Sequence, residues 1–437
     1  MFYIWLLIAC ANRNPVSVNQ QTGLPTIIQN QSIDEIAQAK DPIVIPPENL
    51  AKIRKQMWKK HVAEQQENPL RQKERKNNKL WIENTTMKYS LKVNGEKPPN
   101  GYPLYIALHG GGGGPGVMND MQWRAMKSYY NGSIPRGIYV APRGITNTWN
   151  LHFVGQSYPF YDKLIDNLIL SGEVNPNRVY LLGFSAGGDG VYQITPRMAE
   201  RLAGANMSAG HPNGTPAINL YQVPFLIQMG ENDRAYNRNR AAVQYFVQLQ
   251  NLKQKNPEGY SHDLFLHKNG THNSPWRDNN TSIVKYPIIK HPGKWLKKRK
   301  GNRQAIKRDA NAVRWLLKHH RDPHPKQLIW QPTTRANSRG ERAMYHYWLH
   351  VDPDSKNTRI EALVENNTVT ITEAQDDLSI LIDPVLVDVT QPITIKKQDQ
   401  VLYTREIVID LRHLAKSIKM RNDPHTIYVN TIAVDIP

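Results

Sequence analysis

The feature that most constrains the fold is a five-residue pattern that directly follows an apolar run. Val179–Leu182 has the composition of a buried strand, and it continues into Gly183-Phe184-Ser185-Ala186-Gly187. A Gly-x-Ser-x-Gly sequence between a strand and a helix is typical of a nucleophile elbow, a sharp turn that exposes the serine hydroxyl. Glycine is favoured on both sides because a Cβ atom would clash within such a turn. The pattern therefore predicts Ser185 as a nucleophile, and three further features support it.

The first supporting feature is a run of glycines at the end of another predicted strand. Tyr102–Leu108 is largely apolar and leads, through one histidine, into Gly110–Gly114. Five consecutive glycines lose much conformational entropy on folding, so we expect their backbone to approach a ligand closely. In acyl transfer this ligand is the oxyanion, which two backbone N–H groups stabilise. We expect one N–H from Ala186 and the second from Gly111 or Gly112.

The second supporting feature is a pair of carboxylates after the predicted strand 224–230. A nucleophilic serine needs a base, and a carboxylate holds a histidine base in the required tautomer. Asp233 is the predicted acid of this triad, and Glu231 in the same loop is the alternative. Either carboxylate can instead cap the helix predicted over 235–252.

The third supporting feature is a histidine that follows the strand predicted over 262–267. The turn-rich loop 268–271 separates this strand from His272. Serine, aspartate and histidine then follow one another in the order typical of proteins with a nucleophile elbow. His272 is therefore the predicted base, and His267, within the strand itself, is the alternative.

Predicted strands and helices alternate through the middle of the chain, which indicates a mostly parallel sheet with helices on both faces. The remaining apolar runs predict strands over 137–141 and 203–208, an edge strand over 86–93, helices over 161–170 and 188–201, and a closing helix over 310–318. In such sheets the functional groups lie at the carboxyl ends of the strands, where Ser185 and Asp233 fall.

The hydrophobic period changes after about residue 325, which predicts a small all-β domain over 325–437, interpreted as a sandwich. Strands are predicted over 345–351, 360–365, 368–372, 378–382, 393–397, 401–410 and 426–435. Asn366-Asn367 predicts a two-residue hairpin turn, because asparagine tolerates a positive φ. Structural support is the first interpretation of this domain, since it contains no obvious catalytic cluster.

The start of the chain predicts export. Residues 1–10 are apolar and end in Leu7-Ile8-Ala9-Cys10, which resembles the lipobox of bacterial lipoproteins. This resemblance implies acylation of Cys10 and a location in the cell envelope, in the bacterial periplasm or outer membrane, as a lipid-anchored or secreted protein. Residues 11–47 are polar and predict a tether. A basic amphipathic helix over 48–68 is expected to pack on the domain of the parallel sheet, which extends from 48 to 324.

Composition limits the possible partners. The 437 residues suffice for two or more domains, and the single cysteine excludes an intramolecular disulfide framework. The net charge of +19 is concentrated in residues 285–330. A solvated face is the plainer interpretation of this segment, and attraction to an anionic membrane or polysaccharide surface is the functional one. Because no nucleic-acid-binding motif accompanies the charge, no nucleic acid partner is expected.

These motifs make the chain resemble the α/β-hydrolase superfamily. Over residues 86–275 it is similar to secreted esterases of the polyhydroxybutyrate-depolymerase and feruloyl-esterase type, and to prolyl-oligopeptidase-like hydrolases. The matching stretches are His109–Gly114, Gly183–Gly187, Gly230–Asp233 and Gly270–His272, and Ala141-Pro142-Arg143 and Trp149 resemble parts of substrate-side loops. The resemblance implies a doubly wound, mostly parallel sheet, a Ser185–His272–Asp233 triad, and neither metal nor cofactor.

The expected function is the hydrolysis of a small or polymeric carboxylic ester through an acyl-enzyme on Ser185. A peptidase that uses the same triad is one alternative, because the spacing of the motifs does not distinguish esters from amides. A non-catalytic cell-surface binding protein built on a hydrolase scaffold is the other. Near the predicted cleft, His152, His211 and Asp189 are interpreted as structural residues.

Overall fold

The centre of the chain forms a ten-stranded sheet. The computed structural model describes residues 20–273, 282–284, 305–307, 311–332 and 344–437. Cys10 and half of the basic segment 285–330, namely residues 285–304 and 308–310, lie outside the described residues. The strands of this sheet are β1 (Lys79–Ile82), β2 (Thr85–Asn94), β3 (Tyr102–Leu108), β4 (Gly137–Pro142), β5 (Val174–Phe184), β6 (Gly204–Ser208), β7 (Phe225–Gly230), β8 (His262–His267), β9 (Ser282–Val284) and β10 (Ala305–Lys307).

The strand order is β1-β2-β4-β3-β5-β6-β7-β8-β9-β10. Strands β4, β3, β5, β6, β7 and β8 are parallel, and the outer pairs on both sides are antiparallel. The sheet is therefore mostly parallel, as the alternation of strands and helices predicts. The prediction that the strand over 86–93 lies at the edge of the sheet is wrong. This strand is β2, which pairs with β1 on one side and with β4 on the other.

Helices cover both faces of the sheet. The helices of the chain are α1 (Gln20–Asn30), α2 (Ile33–Gln38), α3 (Leu50–Glu67), α4 (Pro69–Asn77), α5 (Gly116–Tyr129), α6 (Ser157–Leu170), α7 (Ala186–Ile194), α8 (Arg238–Lys255), α9 (Ala312–Leu316) and α10 (Leu411–Arg421). Alternate residues of β3 enter two different cores, since Leu104 and Ile106 pack with α6, α7 and α8 whereas Tyr105 and Ala107 pack with α5 and α9. This two-faced burial is characteristic of doubly wound sheets.

Two helix predictions are corrected at their ends. The helix predicted over 188–201 is α7, which ends at Ile194 and is followed by two short 3₁₀ turns, the first of them containing Pro196. Proline removes a backbone donor and disfavours continuation of an α-helix. The helix predicted from residue 235 begins at Arg238, because Tyr236 and Asn237 adopt positive φ angles of 54° and 56°.

The C-terminal region folds as two further sheets that share one core. The strands are β11 (Gln327–Trp330), β12 (Tyr345–His346), β13 (Leu349–His350), β14 (Ile360–Glu365), β15 (Thr368–Glu373), β16 (Leu378–Ile382), β17 (Ile393–Lys397), β18 (Gln400–Arg405) and β19 (Asn430–Val434). Their orders are β11-β14-β15-β17-β18 and β12-β13-β16-β19. The prediction of a small all-β domain is confirmed in these two sheets, and the hairpin turn at Asn366-Asn367 has positive φ at both residues.

Two local predictions for this domain differ from the structure, and the domain contains one helix that the sequence analysis does not predict. The strand predicted over 345–351 is the hairpin β12–β13, because Tyr347 adopts a φ of 52° and reverses the chain. The strand predicted over 401–410 ends at Arg405. Helix α10 follows Asp410, whose side chain accepts a hydrogen bond from the N–H of Arg412, and it packs into the core between the sheets and the N-terminal helices.

The N-terminal segment packs on the C-terminal domain. Buried apolar residues of α1, α2 and α3, including Ile36 and Met57, belong to the same core as α10 and both small sheets. The backbone N–H groups of Ile45 and Leu411 also bond across to the carbonyls of Ile409 and Ile43, at 2.9 Å each. The prediction of a tether over 11–47 is therefore wrong over 20–47, where the chain is packed. Helix α3 buries its apolar face against the C-terminal domain and not chiefly against the domain of the ten-stranded sheet.

Buried charged groups join the two domains. The guanidinium of Arg321 donates to Asp423 Oδ2 at 2.6 Å and to the carbonyl of Glu200 at 2.8 Å. Arg201 donates to the carbonyl of Arg421 at 2.8 Å. Burial acts to raise the pKa of Asp423, but the charges of Arg321 and Arg201 outweigh it, so the pKa is lowered. Among the described helices, none is long and apolar enough to cross a lipid bilayer.

Candidate active site

Ser185 occupies a strained turn between β5 and α7. Its φ of 57° and ψ of −121° are rare for a residue with a side chain. A Cβ atom on Gly183 would lie 2.1 Å from the carbonyl oxygen of Gly187, and one on Gly187 would lie 2.1 Å from the carbonyl oxygen of Leu108. Both flanking glycines are therefore required by sterics, as the elbow motif predicts. The turn is fixed further by a 3.0 Å bond from the N–H of Ser185 to the carbonyl of Ser208.

The structure brings the three predicted triad side chains together. Ser185 Oγ lies 3.0 Å from His272 Nε2, and His272 Nδ1 lies 2.8 Å from Asp233 Oδ2. Because the ionised carboxylate only accepts hydrogen bonds, Nδ1 carries the proton and Nε2 is left to accept from the serine hydroxyl. The Asp233 side chain is fully buried, whereas that of His272 is 27% exposed. This geometry is that of a nucleophile, a base and an orienting acid.

The loop after β7 fixes the position of Asp233. Its N–H donates to the carbonyl of Gly230 at 3.1 Å, and its own carbonyl accepts from the N–H of Asn239 at 3.0 Å. The guanidinium of Arg238 lies 3.9 Å from Asp233 Oδ1, the oxygen that does not face His272. The sequence motifs do not reveal Arg238 as a neighbour of Asp233. The only unusual feature of Arg238 in the sequence is that a cation begins a helix, where the helix dipole disfavours positive charge.

The two alternative triad residues make their contacts elsewhere. Glu231 Oε2 accepts from the N–H of Asn269 at 3.1 Å, which ties the loop after β8 to the loop after β7. His267 Nε2 lies 2.9 Å from Gln228 Oε1. Burial lowers the pKa of His267 to about 4, so its imidazole is neutral at neutral pH.

The glycine loop passes beside the nucleophile. A Cβ atom on Gly110 would lie 3.3 Å from Ser185 Cβ, and Gly111 and Gly112 adopt φ angles of 103° and 85°. The N–H of Gly112 donates to Asn119 Oδ1 at 2.7 Å. Gly111 and Gly112 are the two alternatives for the second oxyanion donor, and the N–H of Gly112 already donates to buried Asn119. Gly111 therefore remains the candidate for this donor, beside Ala186 at the start of α7.

Two buried histidines support the glycine loop. His109 Nε2 accepts from the N–H of Gly144 at 3.1 Å, so Nδ1 carries the proton and donates to the carbonyl of Gly110 at 2.6 Å. His152 Nε2 donates to the carbonyl of His109 at 2.8 Å, and the two rings meet edge to face at 4.6 Å. Burial lowers the pKa of His109 to about 4 and that of His152 in the same direction. Both histidines are therefore neutral residues that support the loop. For His152, this agrees with its interpretation from the sequence as a structural residue.

Asn119 and Arg143 connect this loop to its surroundings. Asn119 is 1% exposed and donates through Nδ2 to Asn147 Oδ1 at 3.1 Å. The same oxygen accepts from the guanidinium of Arg143, which also donates to Asp120 at 2.8 Å. Arg143 therefore holds a loop together. Asn119 has no sequence signal beyond its place three residues into α5.

Trp149 lies at the exposed edge of the site. Its side chain is 57% exposed and packs edge to face on Phe153 at 5.3 Å, and its backbone flanks Gly112. Asp189 and His211 make structural contacts, since Asp189 Oδ1 accepts from the N–H of His211 at 2.7 Å. Within the described part of the chain, no group of three or more His, Cys, Asp or Glu side chains is arranged to hold a metal ion.

The order of the central sheet, the elbow after β5 and the converging Ser, His and Asp side chains define an α/β-hydrolase fold. No protein-family model matches the sequence. No curated protein matches it either.

Solved structures give distant matches. A thermostable esterase is 18% identical over 54% of this chain and 60% of its own, with a TM-score of 0.36. A poly(3-hydroxybutyrate) depolymerase from Bordetella parapertussis is 14% identical over 45% of this chain and 83% of its own, with a TM-score of 0.37. A putative dipeptidyl aminopeptidase IV from Bacteroides ovatus is 16% identical over 44% of this chain and 31% of its own, with a TM-score of 0.32. At such identities and TM-scores these likenesses do not determine the reaction.

Proposed function

We propose that this chain is a serine hydrolase that cleaves carboxylic esters through a covalent acyl-enzyme. The observation that carries this proposal is the pair of contacts from His272, 3.0 Å to Ser185 Oγ and 2.8 Å to Asp233 Oδ2. A base within hydrogen-bond distance of a hydroxyl, itself oriented by a buried carboxylate, is the arrangement that activates a serine. The strained backbone at Ser185 supports the same role, since strain of this kind concentrates at functional sites.

In the proposed reaction, Ser185 Oγ attacks the ester carbonyl carbon while His272 Nε2 takes its proton. The resulting imidazolium is stabilised by Asp233, and it returns the proton to the leaving alcohol when the carbon–oxygen bond breaks. Water then attacks the acyl-enzyme by the same proton route and releases the acid.

The negative charge that develops on the carbonyl oxygen requires two donors close to Ser185. We propose the N–H of Ala186, at the positive end of α7, and the N–H of Gly111. The position of Gly110 supports this assignment, because a Cβ atom there would lie 3.3 Å from Ser185 Cβ, so the glycine loop passes beside the nucleophile.

Replacement of the nucleophile tests the proposal. We expect Ser185→Ala to abolish hydrolysis of para-nitrophenyl acetate and covalent labelling by a fluorophosphonate probe. Ser128→Ala, at an exposed position of α5, is the matched control and should retain both. Circular dichroism shows whether each variant is folded. Unchanged ester hydrolysis by folded Ser185→Ala protein contradicts the proposal.

The preference for esters is tested separately. We expect a higher kcat/KM for para-nitrophenyl acetate than for aminoacyl para-nitroanilides, measured on the same preparation. The opposite order, with both activities lost in Ser185→Ala, identifies a peptidase that uses the same triad.

We also propose that the chain is anchored to a membrane of the cell envelope through acylated Cys10, since a cysteine ends the lipobox of bacterial lipoproteins. The support is the sequence Leu7-Ile8-Ala9-Cys10 after an apolar start. Metabolic labelling with a fatty-acid analogue should mark the wild type and not Cys10→Ser. Recovery of the membrane-associated protein with an unmodified Met1 contradicts this anchor.

A further inference from the structure

A basic pocket lies at the same end of the ten-stranded sheet as the proposed catalytic residues. It has a volume of about 370 Å³ and opens between α5, the start of β2 and the loop that follows β4. Its ionisable lining consists of Lys88, Arg124, Lys127, Arg143 and Asp120, and Trp123 forms an aromatic wall. Four cations thus face one carboxylate. The pocket is distinct from the triad, because none of Ser185, His272 and Asp233 lines it.

The lone carboxylate is already paired. Asp120 Oδ1 accepts from Arg143 Nε at 2.8 Å, and the other guanidinium nitrogens of Arg143 bind the loop 144–147. This hydrogen bond and the nearby charges of Arg143 and Lys88 lower the pKa of Asp120. Arg143 therefore neutralises Asp120, and the charge of the other three cations is uncompensated within the pocket.

These three cations are accessible. Lys88 and Arg124 are exposed, and no described carboxylate forms an ion pair with either of them. The ammonium of Lys127 lies 3.8 Å from the centre of the Trp123 ring, which fixes it at the pocket wall without neutralising it. Exposed lysine and arginine side chains around a concave surface attract and bind oxyanions.

The sheet topology relates this pocket to the nucleophile. Arg143 follows the carboxyl end of β4, and the antiparallel β2 starts at the same end of the sheet, where Ser185 follows β5. Strand β3 alone separates β4 from β5, and β2 lies one strand further out. At a spacing of about 4.8 Å per strand, the pocket lies roughly 10 to 14 Å from Ser185 along the rim.

We propose that this pocket binds an anionic group, a carboxylate, sulfate or phosphate, of an extended substrate whose ester bond is cleaved at Ser185. This inference rests on the proposed ester hydrolysis and names the class of ester, one with a negative charge about 10 to 14 Å from the scissile carbonyl. The adjoining exposed apolar residues Met118 and Met121 on α5 fit the neutral span between the two ends.

The test compares two esters of equal length, para-nitrophenyl nonanoate and the mono-para-nitrophenyl ester of azelaic acid, which differ only in the terminal carboxylate. The pocket variant is Lys88→Gln/Arg124→Gln. The control is Lys92→Gln/Arg136→Gln, which removes the same charge from exposed positions outside the pocket. We expect the pocket variant to lower kcat/KM for the azelaic ester about five- to tenfold and to leave the nonanoate unchanged. The control should leave both unchanged.

Calorimetry with azelate measures the pocket independently of hydrolysis. Azelate should bind the wild type and the control equally, and bind the pocket variant five- to tenfold more weakly, with the difference lost at high ionic strength. Competition by inorganic sulfate and by phosphate against the azelaic ester then shows which oxyanion the pocket prefers. Equal azelate binding by all three proteins, or none by the wild type, overturns the pocket even if Ser185-dependent hydrolysis stands. Azelate binding without any hydrolysis retains the pocket and overturns the proposed function.

Discussion

Removal of the Asn119 side chain tests whether the glycine loop is held in place by one buried amide. Asn119 is 1% exposed, and its Oδ1 accepts from the N–H of Gly112 at 2.7 Å. Its Nδ2 donates to Asn147 at 3.1 Å and, more weakly, to the carbonyl of Gly114 at 3.4 Å. Consecutive glycines have many competing conformations, so a loop of this composition depends on such contacts to remain in one of them.

The structure allows an estimate of the effect. Asn119→Ala leaves the N–H of Gly112 without its acceptor, and a bond of this kind contributes about 1 to 2 kcal/mol to the conformation that contains it. If that conformation positions the Gly111 donor, its population falls by the same free energy. The expected loss in kcat/KM is then about 5- to 30-fold, and it cannot exceed the roughly 10²- to 10³-fold value of a complete oxyanion donor.

The assay is steady-state hydrolysis of para-nitrophenyl acetate together with the rate of fluorophosphonate labelling, since both reactions build negative charge at the same oxygen. Both rates should fall by the same factor in Asn119→Ala. Asn147→Ala, which spares the bond to Gly112, should have a smaller effect, and Ser128→Ala on the same helix should have none. A folded Asn119→Ala protein with kcat/KM within about twofold of the wild type refutes the proposed role of the loop.

Three further predictions concern folding. Gly187→Ala should prevent assembly of α7 on β3, because the added Cβ would lie 2.1 Å from the carbonyl oxygen of Leu108. Gly132→Ala is the control, since a Cβ there meets nothing within 4 Å, and the two variants are compared by soluble yield and melting temperature. Burial lowers the pKa of His346 to about 3, so the unfolded chain binds more protons below pH 6.5 and stability is lost as the pH falls. His346→Phe should therefore remove about 2 kcal/mol of the decrease in unfolding free energy between pH 7 and pH 5, measured in urea, and an unchanged pH slope contradicts it. Arg321→Leu should destabilise the protein by about 3 to 5 kcal/mol, because buried Asp423 loses its hydrogen-bonded guanidinium partner. The double variant Arg321→Leu/Asp423→Leu should recover most of this loss in thermal unfolding.

The parts of the site that the sequence predicts are those with local causes. The elbow is recognisable because Gly183 and Gly187 are required by atoms within the same turn or by the adjacent strand. The acid and the base follow strands whose apolar composition is visible without any partner. Choosing Asp233 over Glu231, and His272 over His267, needs only the position of each residue relative to the end of its strand, and the contacts in the structure agree with both choices.

The parts that the sequence does not predict depend on contacts that only the folded chain sets. For residues 20–47 these contacts join segments far apart in the sequence, and for Arg238 and Asn119 they join a loop to the helix beside it. Residues 20–47 are polar enough on average to suggest a tether, but the few apolar residues among them are buried by α10 and the small sheets, nearly four hundred positions later in the chain. Arg238 lies near Asp233 because the loop after β7 turns back toward it. Asn119 acquires its role because the glycine loop returns over α5. In each case the residue type has no special signal, and only the tertiary fold gives it a partner.

The side chains that form hydrogen bonds directly with the backbone of residues 109–112, those of Asn119, His109 and His152, are all buried and uncharged. Asn119 has no titratable group, and burial lowers the pKa values of His109 and His152, so both imidazoles remain neutral. A charged support at these positions would place a second fixed charge next to the site where the reaction itself creates one. With neutral supports, the field at the oxyanion comes mainly from backbone N–H dipoles that are already oriented and require little reorganisation during the reaction. The burial of these supports is therefore part of the proposed catalytic arrangement and not only of the packing around it.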